Sequence, residues 1–312
     1  MKVAVMAAGG LGGYYGALLA KDGHDVTFIA RGAHLKAIRE NGLIIKSVHG
    51  DLTIKPAKAT DNPAEVGPVD WILFGVKTYD TQAAAEQMRP MIGAQTAVIT
   101  FQNGVDSPDQ IGAIIGKEHV LAAPTQVVSN IVAPGVIEQK SPFRLTTIGE
   151  VGGQGLTPRV EQIVAALKKT GIEATAAADG RAPMWHKFIF IASTAGLASL
   201  ARTTPYDLFQ LPEARATLRA ALEEVDAVGR ALGVAMDADI VERQYQFSLN
   251  LKPGVKPSMQ LDVEQGKRLE IDALSGAVVR FGAVKGIQTP VHQTIYVGLK
   301  PEDDRRKAQR QK

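Results

Sequence analysis

The 312-residue chain is 45% apolar and 21% charged, with a net charge of +3. That length accommodates two domains with buried cores, the balance excludes wholesale disorder, and so small a charge gives no reason to expect nucleic acid or a membrane as partner. The absence of cysteine excludes disulfides, thiolate zinc sites and a cysteine nucleophile.

Residues 3–6 read as a buried strand that runs into the glycines Gly9, Gly10, Gly12 and Gly13. Lys21, Asp22 and His24 come soon after, so the apolar start is a strand entering a turn rather than an export signal, and a cytoplasmic protein is expected. No run approaches the ~20 apolar residues that a membrane span requires. Residues 11–21 read as a helix stopped at Gly23, residues 26–29 as a second strand, and 43–46 with 52–55 as a short hairpin or edge pair. Residues 71–76 and 97–101 are further buried strands, separated by a helix at 81–91. The stretches 120–128, 135–139 and 144–149 extend the β content, and 157–169 with 172–176 add a helix and a strand. Near-continuous apolar strands joined by helices predict an α/β domain with a parallel sheet.

The texture changes near residues 179–181, and beyond Met184 helical patterns dominate. Residues 211–232 are rich in Ala, Leu, Glu and Arg with Gly233 as a stop, and Ile271, Leu274, Val278 and Phe281 recur at helical spacing. The boundary is therefore placed at residue 178, with an α/β domain over 1–178 and an all-helical domain over 179–312. The stretch 301–312 reads as a frayed tail. Its Arg305, Arg306, Lys307, Arg310 and Lys312 are mixed with Glu302, Asp303 and Asp304, as in a solvated terminus rather than a nucleic-acid arm.

Ala7-Ala8-Gly9-Gly10-Leu11-Gly12 lies between the first strand and the first helix, the context in which a glycine turn reads as a dinucleotide fingerprint. A Cβ would hold the backbone away from a pyrophosphate, whose oxygens meet the free N–H groups of the helix start. Gly9 takes the close-approach position, Gly12 the helix–sheet packing position, and Ala7 stands where the usual pattern has its first glycine. The alternative is a plain β–α turn without a ligand. Its place inside a βαβ unit favours the dinucleotide and makes the first domain Rossmann-type. The second strand ends Phe28-Ile29-Ala30-Arg31, without the acid that takes the ribose 2′-OH of NAD. Arg31 can grip a 2′-phosphate with two prongs, which points to NADP(H); the bland alternative is a solvated arginine.

The later motifs are Val76-Lys77-Thr78, Gln102-Asn103-Gly104, Trp185-His186-Lys187 and Pro257-Ser258-Met259-Gln260-Leu261-Asp262, with Glu270-Ile271-Asp272 after them. Together with the glycine turn and Ile29-Ala30-Arg31-Gly32, their order and spacing resemble the ketopantoate reductase family over nearly the whole chain. The resemblance implies a Rossmann domain plus an all-helical domain, with NADPH and substrate in the cleft between them, and reduction of a 2-oxo acid to a 2-hydroxy acid. It implies Lys187 as the acid that protonates the developing alkoxide, and Glu270 as a second catalytic residue near both lysine and cofactor. It also implies Lys77 and Asn103 at the cofactor, Asn103 reaching toward the substrate, and Ser258 at the substrate carboxylate. Taken alone, Lys187 could snorkel out of its apolar helix, Asn103-Gly104 is good turn chemistry, Ser258 could cap a helix and Glu270 could be a solvated acid. A homodimer is possible by analogy of fold.

The family's lysine helix carries asparagines four and eight residues further on, where this chain has Ile191 and Ala195. On an ideal helix both stay near the lysine's face, while Ser193 and Thr194 point elsewhere. Losing two polar anchors implies a changed substrate, a 2-oxo acid with a bulkier or less polar side chain, with ketopantoate itself second. A related imine, opine or β-hydroxy-acid dehydrogenase and a non-catalytic NADP-binding sensor are the remaining alternatives. No two of the six histidines share metal-ligand spacing, so no metal is expected.

Overall fold

The computed structural model describes residues 1–310. The chain divides into two compact units, Met1–Gln102 with Ser107–Pro183, and Asn103–Asp106 with the residues from Met184 onward.

The first unit begins β1 (Lys2–Met6), α1 (Gly10–Lys21), β2 (Asp25–Ile29), α2 (Gly32–Asn41), β3 (Leu43–Ser47), β4 (Leu52–Ile54), β5 (Lys58–Thr60) and β6 (Trp71–Phe74). It continues with α3 (Thr81–Gln87), β7 (Ala97–Thr100), α4 (Ser107–Ile115), β8 (Val120–Ala122), β9 (Thr125–Gln126) and β10 (Ser129–Ala133). It closes with β11 (Val136–Gln139), β12 (Leu145–Glu150), α5 (Pro158–Lys169) and β13 (Glu173–Ala177). The main sheet runs β13-β12-β8-β7-β6-β1-β2-β5, with β9 paired to β12. Every pair along that path is parallel except β12 with β8. Alternation along β1 sends Val3 and Val5 into a core with Tyr15, Leu19 and the α5 residues Val160 and Ile163, and Ala4 and Met6 into a second core with Ala85 of α3, Met88 just after it and Ile111 of α4. Two covered faces explain why the strands read as continuous apolar runs. The expected hairpin forms, β3 against β4, and it extends into a second sheet ordered β10-β11-β3-β4.

The second unit is helical, and no strand occurs among its described residues. It contains α6 (Arg181–Phe190) from Met184 onward, a π turn (Ile191–Ala195), α7 (Gly196–Ala201), α8 (Pro205–Leu208), α9 (Pro212–Ala231), α10 (Ile240–Leu249), α11 (Ser258–Glu264), α12 (Ser275–Lys285) and α13 (Pro290–Arg310). Trp185 anchors α6 edge-on to Phe188 and beside Phe281. A Cβ on Gly229 would come 3.0 Å from the Trp185 ring, so α9 needs glycine to let the indole pass.

Several elements differ from the sequence reading. The helix expected at 81–91 stops at Gln87 and continues only as a single 3₁₀ turn, Arg89–Met91, because Pro90 has no N–H to give. The periodicity over 271–281 becomes a helix only from Ser275, since residues 270–273 turn instead, with the N–H groups of Ala273 and Leu274 both donating to Glu270 O. Helices α2 and α4 and strand β10 have no counterpart in the sequence reading. The frayed tail is a correction. Residues up to 310 continue α13 through Pro301, with Ile295, Leu299 and Asp303, spaced four apart, all buried. Arg306 donates to the carbonyls of Asp262, Val263 and Lys267 and pairs with Glu302, so it ties α13 to the end of α11. Gln311 and Lys312 lie outside the described residues.

His292 shows how the helical unit is sensitive to acid. Its ring is fully buried, and Nε2 lies 3.1 Å from Ala221 O, which makes Nε2 the donor of a neutral imidazole. Burial pulls its pKa down to about 4, against a weaker upward pull from the Ala221 hydrogen bond. The unfolded chain therefore takes up this proton near pH 6.5 and the folded chain only near 4, so stability is complete above 6.5 and is lost as pH falls through that window. Neighbouring Glu224, whose carboxyl burial raises, acts in the opposite sense. Urea titrations at pH 7 and 5 should therefore show the wild type losing about 2 kcal/mol more than a His292→Asn variant. Equal losses in the two would mean that the imidazole does not bear the load.

Candidate active site

The main sheet reverses its order at β1. The chain moves outward to β2 and β5, then returns to lay β6 on the other side of β1. In open α/β sheets the crevice beyond the carboxyl ends of such strands is the ligand-binding edge. The residues after β1 are the glycine turn, and those after β6 are Gly75, Val76 and Lys77.

Ala7 adopts φ +67, the left-handed conformation that a first glycine would supply, so the alanine accepts the strain of the same turn. The N–H of Ala8 donates to Ile29 O at 2.8 Å, and His34 Nε2 lies 2.9 Å from Ala8 O. Helix α1 starts with neither a side-chain cap nor an acid in its first turn, so no side chain of its own occupies its positive end. A Cβ on Gly12 would meet Ala7 O at 2.7 Å and Val5 Cγ1 at 3.1 Å, the helix–sheet packing role. A Cβ on Gly9 would meet nothing within 4 Å. The protein itself does not require glycine there, whereas an approaching pyrophosphate does. Gly12→Ala should therefore destabilise the fold, and Gly9→Ala should leave thermal stability unchanged while weakening dinucleotide binding about tenfold or more. Calorimetry and thermal melts of the two variants separate these outcomes, and intact binding by a folded Gly9→Ala protein would take the ligand off this turn.

Arg31 is exposed at the tip of β2, and its Nη2 donates to Gln87 Oε1 at 2.6 Å. Lys77 is half-buried at the head of a 3₁₀ turn. That loop is braced by Gln102, whose amide nitrogen donates to Val76 O at 3.1 Å and to Thr81 Oγ1 at 2.7 Å.

In the helical unit three of the expected residues come together. The Lys187 ammonium donates to Asn103 Oδ1 at 2.9 Å, and the charge of Glu270, itself only 6% exposed, acts on it. Burial brings the lysine pKa down to about 8, and Glu270 resists that fall. Lys187 thus does not snorkel. Asn103 clusters with this unit although it comes after β7 in the chain, and Gly104, at φ +86, lies so close to Ala273 that a Cβ would meet Ala273 O at 2.8 Å. Glu270 is not the solvated helix-start acid that periodicity alone allowed. It sits in a turn whose preceding N–H, on Leu269, donates to the buried carboxylate of Asp303 at 2.8 Å. Sequence reasoning missed that support because the charge density around Asp303 suggested a tail; the signal was its four-residue spacing from Ile295 and Leu299.

Ser258 is exposed at the first position of α11, and the capping position is Pro257, so it is not a helix cap. Helix α11 packs against the π turn. That turn corrects the ideal-helix geometry expected beyond Lys187, since an i→i+5 segment adds a residue to the turn and rotates the helix beyond it. Ile191 remains half-buried, but Ala195 is only 4% exposed. The Thr194 hydroxyl lies 2.9 Å from that of Ser248, and Ser193 Oγ is buried without a hydrogen-bond partner.

Residues 3–153 match the model of the family described as ketopantoate reductase PanE/ApbA, and residues 179–302 match the model of its C-terminal part. A 2-dehydropantoate 2-reductase of Mesorhizobium japonicum is 30% identical, covering 95% of each chain. This chain belongs to the ketopantoate reductase family. A PanE/ApbA family ketopantoate reductase from Ralstonia eutropha superposes with a TM-score of 0.90 at 30% identity, over 98% of this chain and 100% of that one. D-mandelate dehydrogenase, solved with NADH and anilino(oxo)acetate, matches with a TM-score of 0.89 at 20% identity over 98% of this chain and 100% of that one, a likeness of fold. Membership makes the protein an oxidoreductase with a Rossmann-type first domain and a helical second domain. No helix among the described residues is long and apolar enough to cross a membrane.

Proposed function

We propose that the protein is an NADPH-dependent reductase of a 2-oxo acid with an apolar side chain, in which Lys187 is the general acid. The observation that carries this reading is the desolvated ammonium, held on Asn103 and facing the charge of Glu270. The bound dinucleotide would supply the hydride. As negative charge grows on the ketone oxygen, Lys187 offers both a positive charge and a proton there. One of its three N–H groups is committed to Asn103, which orients the other two for a substrate oxygen. Glu270 keeps the lysine protonated, and the neutral amine left after transfer recovers its proton from solvent. Gly9 and the uncapped start of α1 suit a pyrophosphate, and Arg31 suits a 2′-phosphate. Ile191, half-buried beside the lysine helix, offers apolar surface to the substrate side chain, with Ser258 at the carboxylate. Ketopantoate is the second substrate reading, supported by the named relatives.

Purified protein assayed for NADPH oxidation against a panel of 2-oxo acids, ketopantoate and cyclic imines tests this. Turnover is expected with at least one 2-oxo acid, fastest where the side chain is apolar. Arg31→Ala should lower kcat/KM for NADPH about tenfold or more and leave NADH nearly unchanged. Wild-type protein that uses NADH better than NADPH overturns the cofactor assignment, and turnover of imines alone overturns the substrate class.

A further inference from the structure

We propose that the first unit carries a second ligand site, for a small dianionic oxyanion such as a phosphate monoester or a dicarboxylate, in the cavity walled by Lys21, Arg144 and Lys169. The cavity measures about 250 Å³ and is also lined by Tyr14, Asp22 and His49. That is close to the lower end of small-molecule pockets, roughly 300 Å³, and holds the space of about eight waters. A phosphate or two carboxylates on a short carbon chain fit within it.

The charge balance favours an anion. Three permanent cations face one carboxylate, Asp22, which lies 3.7 Å from His24 Nε2. Among the described residues none of the three cations is paired with an acid. The Arg144 guanidinium has five donors, and its one hydrogen bond, to Tyr14 OH, is long at 3.4 Å. The fork lies beside the backbone at Gly171, where a Cβ would come 2.8 Å from Nη2 and φ is +86. A guanidinium fork with donors to spare is a usual partner of phosphate and carboxylate.

A simpler account would give Lys21 and Lys169 to the carbonyl ends of α1 and α5, which they terminate. Backbone N–H groups already reach several of those carbonyls. Leu18, Leu19 and Ala20 accept from Asp22, His24 and Gly23, while Leu167 and Lys168 accept from Thr170, Ile172 and Gly171. Arg144 lies just before β12, at no helix end. His24 is held below the usual imidazole range by burial first, then by the N-terminal ammonium and Lys169, against the pull of Asp22.

Titration calorimetry of the whole protein at low ionic strength tests the site, with inorganic phosphate in one arm and malonate in the other. Saturable binding of at least one probe is expected. It should weaken about tenfold or more in Arg144→Gln and in the doubly substituted Lys21→Gln, Lys169→Gln protein, whose changes lie at exposed helix ends and spare the core. Tighter phosphate assigns the site to phosphate monoesters, and tighter malonate assigns it to dicarboxylates. Binding undiminished in both variants places the anion elsewhere, at the glycine turn for example, and overturns the proposal, as does the absence of binding by either probe. Neither outcome depends on reductase activity.

Discussion

Replacing Lys187 with alanine is expected to lower kcat for the 2-oxo acid about 10²–10⁴-fold with a smaller change in KM, the range for loss of a positioned general acid. The wild-type pH profile should identify the same group. The acid must be protonated, and its pKa lies at about 8, so kcat/KM should hold level on the acidic side and fall as pH rises through that value. Glu270→Gln removes the charge that opposes desolvation, so the descending limb should move to lower pH while the plateau keeps most of its height. A purely structural role for Glu270 would lower activity without moving the limb. Undiminished turnover in Lys187→Ala would remove the mechanism, and a flat profile between pH 7 and 10 would remove the lysine from the proton-transfer step.

The second large effect is at a residue outside the motifs from which the chemistry was expected. Asp303 is fully buried, accepts the Leu269 N–H at 2.8 Å and takes two hydrogen bonds at 3.3 Å from Arg268, whose side chain is 12% exposed. Asp303→Ala deprives that arginine and that N–H of their shared acceptor, and removal of one partner from a buried pair costs about 3–5 kcal/mol. Asp303→Asn keeps an acceptor for Leu269 and should cost less. Trp185 reports on the helical unit once Trp71, the other tryptophan, is replaced by phenylalanine, so urea titrations by fluorescence give the loss directly. Because Glu270 is next to Leu269 in the chain, the folded fraction of Asp303→Ala should also show a displaced pH limb. A cost below ~1 kcal/mol would mean that α13 ends functionally before Asp303.

These residues mark how far the sequence could be read. The alternation of apolar strands and helices specified the parallel sheet, because a strand covered on both faces leaves a continuous apolar signature. The glycine turn was legible for a similar reason, since Gly12 and the strained Ala7 answer to local backbone geometry between one strand and one helix. Lys187, Asn103, Glu270 and Ser258 were legible as motifs, but their arrangement was not. The distance from residue 103 to 187 and on to 270 is set by packing, and no local pattern encodes it.

The elements that were misread share one physical cause. Asp303 and Arg306 sit in a polar segment, and only burial against residues 262–269 tells that their charges are internal rather than solvated. The π turn is silent in the periodicity, because the adjustment is settled by what Ile191–Ala195 pack against, α9 and α11 among them. Sequence alone therefore determined the fold class and the strand–turn–helix frame of the glycine turn, which rest on local patterns in the chain. Tertiary structure alone decided which charges are buried, how Glu270 is held and how strongly Lys187 is desolvated, because solvation and charge partners depend on residues scores of positions away.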